Sequence, residues 1–94
     1  MERMRDVLRG NLGKSLRSIQ EQDRLAAAWT VACGSAMAAH GRVIGYEDSM
    51  VRVAVADETW MRQMYSLRST LESDMAKISG LPVAAIRFEL DRET

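Results

Sequence analysis

Thirteen basic and thirteen acidic side chains cancel in this 94-residue chain, and nearly half its residues are apolar, the make-up of one ordinary globular domain with no strong electrostatic bias. A single cysteine excludes an internal disulfide and fits a reducing compartment. No apolar run approaches the ~18 residues of a membrane span, and the N-terminus, MERMRDVLRG, is charged where a secretory signal is apolar, so a cytoplasmic location is expected.

Residues 3–19 place Met4, Val7, Leu8, Leu12, Leu16 and Ile19 three and four apart, the pattern of an amphipathic helix. Gly10 and Gly13 each cost about 1 kcal/mol relative to alanine, so this first helix is expected to be frayed or broken. Its polar side is basic. Residues 1–20 carry Arg3, Arg5, Arg9, Lys14 and Arg17 against Glu2 and Asp6, a balance of +3 on a remainder of −3. Such an arm is either a nucleic-acid footprint or the wet side of a helix.

A second helix is expected from Asp23, a capping residue, with Leu25, Trp29, Ala32, Cys33 and Ala36 at helical spacing and alanine in abundance. Gly34 falls inside it, where close approach of another backbone is one reason for a glycine. Gly41 ends it just after His40. Beyond it, Val43, Ile44 and Tyr46 form a short strand, Glu47-Asp48-Ser49 suits a hairpin turn, and Val51, Val53 and Val55 alternate with Arg52, Ala54 and Ala56 as a half-buried strand.

Asp57 opens the clearest helix, with Glu58 adding negative charge to its first turn. Trp60, Met64, Leu67, Leu71, Met75 and Ile78 make one apolar stripe, and Lys77, Gly80 and Pro82 mark its end. Ile86, Phe88 and Leu90 then alternate with Arg87, Glu89 and Asp91 as a third strand. The fold class expected is α+β, in the order α-α-β-β-α-β, with helices packed on one face of a three-stranded sheet. The 94 residues are read as a single domain, a basic arm over 1–20 and a core over 23–90. The expected core holds Trp29, Cys33, Gly34, Val51, Val53, Val55, Trp60, Met64, Leu67, Leu71, Ile78, Ile86 and Phe88.

Cys33 and His40 are the residues with chemistry to offer. Seven residues apart on a continuous helix, they stand roughly 10.5 Å apart along its axis, well beyond the ~3 Å of a thiolate–imidazole pair. Two soft ligands also fall short of a zinc set. Cys33 lies on the Trp29 face and is read as core, and His40 as a cap on the last carbonyls of its helix. Neither a phosphate-binding glycine loop nor a dinucleotide fingerprint is present. No catalytic residue, cofactor, metal or small-molecule substrate is expected. Met64 and Met75 fit the core, and Met61, beside Trp60 at the stripe's edge, fits either the core or an adaptable binding surface.

Three segments in order resemble one family. Trp29, Cys33-Gly34 and His40 resemble the signature W-x-x-x-V-G-x-x-(I/V)-A-x-H, with cysteine in place of the valine. MVRVAVADETW resembles L-x-V-x-V-x-(S/D)-x-x-W, ending at Trp60. ISGLPVAAIRFEL is similar to the family's ending, a glycine followed by V-x-x-I-x-F, with Gly80, Ile86 and Phe88 as the matching residues. The family is the DciA type, and the resemblance covers about residues 7–90. It implies a KH-like fold and a partner, the bacterial replicative helicase of the DnaB type, that such proteins bind and help to place on DNA. The chain differs from many members in its neutral charge, in ending about four residues after its last expected strand, and in lacking the G-x-x-G clamp of true KH domains.

The resemblance thus implies a non-enzymatic adaptor that binds the helicase and, weakly and without sequence preference, single- or double-stranded DNA. Candidate phosphate contacts are Arg3, Arg5, Arg9, Lys14 and Arg17 of the arm, then Arg42 and Arg52 of the hairpin. A protein-interaction module without nucleic acid, and a KH-like RNA-binding module, are the alternatives.

Overall fold

In a computed structural model, which describes the backbone of residues 2–91 and the side chains of residues 16–91, the order is α1 (Glu2–Cys33), α2 (Ser35–Ala38), β1 (Gly41–Glu47), β2 (Met50–Val55), α3 (Glu58–Ser66), α4 (Arg68–Ser79) and β3 (Ala85–Leu90). The α+β class and the succession of helix, helix, strand, strand, helix and strand are those expected, with the later helix divided in two. The strands lie in the order β1-β2-β3. β1 and β2 are antiparallel and joined by a tight turn, whereas β2 and β3 are parallel and need the α3–α4 crossover. Asp48 and Ser49, at φ 52° and 63°, are the consecutive left-handed residues of a type I′ hairpin. The Ser49 carbonyl accepts from the Ala84 amide at 2.7 Å, which ties that turn to the approach of β3.

Alternation along β2 sends Val51, Val53 and Val55 to the helix side, where all three are buried. The register sets Ile86 beside Val51 and Phe88 beside Val53. Leu25 and Trp29 of α1, Met64 of α3, and Leu71 and Met75 of α4 close the core over them. α1 is joined to α4 at a second point, where the Arg24 guanidinium donates to the Ser79 carbonyl at the end of α4. Gly80 caps that end in the left-handed conformation, φ 74°, and Asp57 caps α3 by accepting from the Trp60 amide at 2.9 Å, both as read from the sequence.

Trp29 sets the start of β1. Its indole Nε1 donates to the Gly41 carbonyl at 3.2 Å, and the same edge of the ring comes so close that a Cβ at Gly41 would meet Trp29 Cζ2 and Met64 Cε, each at 3.1 Å. Gly41 is thus the close approach in this region. Gly34 has a different role: at φ 80° and ψ 160° it occupies a region essentially reserved for glycine, and a Cβ there would meet nothing within 4 Å. It breaks the helix; it does not sit inside one against another backbone.

Other expectations are also corrected. α1 is one helix through Gly10, Gly13 and Asp23, so Asp23 is an exposed mid-helix residue and no cap. Helix propagation is cooperative, and the alanine-rich run to Cys33 carries it through positions that propensity alone would break. The apolar stripe of the later helix bends at Leu67, φ −99° and ψ 9°, where the Ser66 hydroxyl donates back to the Gln63 carbonyl at 2.7 Å. The bend turns Leu67 to solvent, 40% exposed, and Ile78 at the far end is 46% exposed, so neither belongs to the core. Gly34 is exposed as well, and Cys33, Trp60 and Phe88 are half-buried against the core rather than inside it.

The two glycines are expected to resist substitution for different reasons. Gly41→Ala overpacks the Trp29 contact and should cost about 1–3 kcal/mol, with a changed near-ultraviolet tryptophan signal. Gly34→Ala should cost about as much through backbone strain and leave that signal intact. Urea unfolding and near-ultraviolet dichroism check both, and a Gly41→Ala protein as stable as the parent would show that the ring does not press on β1.

Candidate interaction surfaces

Cys33 closes α1 and packs partly against the core. Burial pushes its thiol up to about 12, so it stays protonated at neutral pH and is a weak nucleophile. His40 lies in the turn between α2 and β1. Its ring stacks on Trp60, centroids 4.3 Å apart and planes 11° from parallel, and this stack, not a bond to helix carbonyls, holds the imidazole. Trp60 therefore has one face covered by His40 and sits at the first turn of α3, at the edge of the core. Among the described residues, no group of three or more His, Cys, Asp and Glu side chains could hold a metal ion, and no helix is long and apolar enough to cross a membrane.

The sheet face away from the helices carries the hairpin arginines. Arg42 Nη2 lies 3.2 Å from Asp91 Oδ2. Arg52 holds Glu89 through two bonds, Nε to Oε2 at 2.7 Å and Nη2 to Oε1 at 3.1 Å. That fork holds the Glu89 carboxyl below the usual carboxylate range and raises the Arg52 guanidinium above its own. The register puts Arg87 beside Arg52 on the same face. Both hairpin candidates for phosphate contact thus already face a carboxylate. Of the arm, Arg17 is exposed on α1, and Arg3, Arg5, Arg9 and Lys14 lie outside the described side chains.

A third surface went unread in the sequence. β3 is an edge strand, and between it and α3 runs an open groove of about 870 Å³. Its walls are Met50, Met61, Tyr65, Ile86, Phe88 and Leu90. Arg62, Arg68 and Arg87 stand on the rim with Glu58 and Glu72. Tyr65 is 58% exposed, and the Arg68 guanidinium lies 4.3 Å over its ring. Glu72 accepts from the Ile86 amide at 3.0 Å, which satisfies one outward donor of the edge strand. The sequence signal for this groove was Met61, a methionine at the stripe's edge. Tyr65 and the rim arginines read as an ordinary wet helix face until the crossover brings β3 beneath them.

Cys33 is expected to react slowly. With its thiol pushed up to about 12, modification by a disulfide reagent at pH 8 should be at least about tenfold slower in the folded protein than in urea, and Cys33→Ala should leave ligand binding unchanged. Equal rates in the two states would show an open thiolate.

No protein-family model matches this chain, and no curated protein matches it in sequence.

Proposed function

We propose that this chain is a non-enzymatic cytoplasmic adaptor of the DciA type, which docks on the replicative helicase through the groove beside β3 and touches DNA weakly. The observation that carries the docking role is that groove: an apolar trough beside a free strand edge, with no cluster of reactive side chains in its walls. Groove and strand edge together suit a protein partner. The helicase as partner rests on the family resemblance, and the order of elements agrees with the fold which that resemblance implies. The α3–α4 junction, Ser66-Leu67-Arg68, has no glycine, so the backbone clamp of an RNA-binding KH module has no counterpart there.

DNA contact in this reading comes from the arm. The arm's five basic residues give a log–log salt slope no steeper than about −4.5 on duplex DNA, and the contacts carry no sequence preference. The carboxylates facing Arg42 and Arg52 make the sheet a poor phosphate surface, which is the one observation that favours the alternative, an interaction module without nucleic acid.

Purified helicase, immobilised and challenged with this protein, tests the reading directly. Capture is expected, and its absence at micromolar concentration would remove the helicase from the account. In parallel, reversing Arg3, Arg5 and Arg9 to glutamate should abolish most DNA affinity at low salt, whereas Arg42→Ala and Arg52→Ala should change it by less than about threefold. Unchanged affinity in the reversed arm would move DNA binding elsewhere, and no DNA binding by the parent would leave the pure interaction module.

A further inference from the structure

The groove beside β3 has a feature that narrows what can occupy it. Along a strand, successive backbone groups point to opposite sides. The Asp91 amide donates to the Val55 carbonyl of β2 at 2.8 Å, and the Ile86 amide turns the other way, to Glu72 at 3.0 Å. Arg87 and Glu89 therefore bond toward β2, while Phe88 and Leu90 direct both N–H and C=O to the outer edge, where no strand lies among the described residues. Glu72 fills the outward donor of Ile86 alone. The open stretch is thus short and defined: the carbonyl of Ile86, then both groups of Phe88 and Leu90. Unsatisfied strand edges are sites of pairing unless covered.

We infer that this edge receives an extended peptide of a partner protein as a fourth strand, with apolar and acidic residues in alternation. This deepens the docking role proposed above, and rests on it for placing the partner in this groove. A strand added about 4.8 Å from β3 has one set of alternate side chains under α3 and the other on the open face of the sheet. The first set meets Met61, Tyr65 and Leu90, an apolar and adaptable wall. The second set passes Arg87, which has Arg52 beside it and feels Glu89 only through space, since that carboxylate is held by Arg52. An acidic residue there is the complementary cross-strand neighbour. Arg62 on the rim, without an ion pair among the described residues, favours the same charge.

A single-stranded nucleic acid fits the groove less well. Its two aromatic rings are engaged: Phe88 tilts 54° against Trp29 at 6.4 Å, and Tyr65 lies under Arg68. The backbone groups of Phe88 and Leu90 match the ladder spacing of a peptide and not that of bases.

The test is selection of a displayed library of linear twelve-residue random peptides on the folded protein, with the enriched peptides then titrated by amide NMR and hydrogen exchange. Enrichment of apolar residues at every second position, with Asp or Glu between them, is expected. Bound peptide should slow exchange of the Phe88 and Leu90 amides more than of others. Tyr65→Glu should weaken binding at least tenfold, and Arg62→Glu should weaken the acidic peptides while sparing basic ones; both positions are exposed, so folding is retained and is checked by near-ultraviolet dichroism. Peptides with helical spacing, or bound peptides that leave the Phe88 and Leu90 amides unprotected, would overturn the inference. So would an oligo-dT twelve-mer that shifts these amides with steep salt dependence, or concentration-dependent protection without peptide, which marks a second copy of this chain. Helicase capture serves as the separate arm: groove peptides without capture sink the helicase reading alone, and capture with an untouched β3 edge sinks this inference alone.

Discussion

The edge of the Trp29 indole against the backbone of Gly41 is the contact on which the rest of the fold depends. Trp29 is 2% exposed and reaches α1, β1 and α3 at once through its neighbours Gly41 and Met64. Removing a buried tryptophan typically costs about 3–5 kcal/mol, a large part of the 5–15 kcal/mol that holds a small domain together. The contact also imposes geometry. The chain must leave α1, reverse and return twelve residues later with a glycine against the ring's edge, and the break at Gly34 with the single turn of α2 achieves this. His40, at the end of that reversal, then meets Trp60 face to face and fixes the first turn of α3.

From that joint the groove follows as a consequence of topology. α4 packs chiefly on α1, with the Arg24–Ser79 bond at its end, while α3 packs on the strands. The bend at Leu67 lets the two segments serve these different surfaces. Because the crossover covers the core side of the parallel β2–β3 pair and stops there, one edge of β3 stays open beside α3. The same elements that bury Val51, Val53 and Val55 therefore leave Phe88 and Leu90 with outward backbone groups.

Much of this was legible in the chain because it is local. Period-two valines, the Asp57 cap, the Gly80 cap and the hairpin at Asp48-Ser49 each depend on a few adjacent residues, and each is where the sequence puts it. Non-local features were not legible. A bent helix and a straight one show the same stripe at Leu67, so its exposure needs the packing of both halves to be known. Gly34 and Gly41 look alike in sequence, yet one supplies a backbone conformation and the other makes room for a ring contributed by Trp29. Arg42 and Arg52 read as free charges because their carboxylates lie 49 and 37 residues away, Asp91 just past the end of β3 and Glu89 on it. The groove was invisible for the same reason: its walls join a hairpin, a helix and the last strand.

These surfaces also differ in how charge reaches them. The first 20 residues carry +3 and the remainder −3, so attraction for phosphate is concentrated at one end of the chain. At a screening length of about 8 Å, such charge acts only where it nearly touches its target. α1 is a single helix from Glu2 to Cys33, about 48 Å at 1.5 Å per residue, and Trp29 anchors its far end in the core. Phosphate held near the start of that helix and a peptide held on β3 would make no direct contact, and their charges would be screened from one another. Coupling between them would have to pass through α1 as a body, by way of Trp29 and Arg24, into α4 and the Leu67 bend that positions α3 over the groove. In the adaptor proposed above, DNA and partner would bind independently unless one of them moved that helix, and the Trp29–Gly41 contact is the joint that such a movement would strain first.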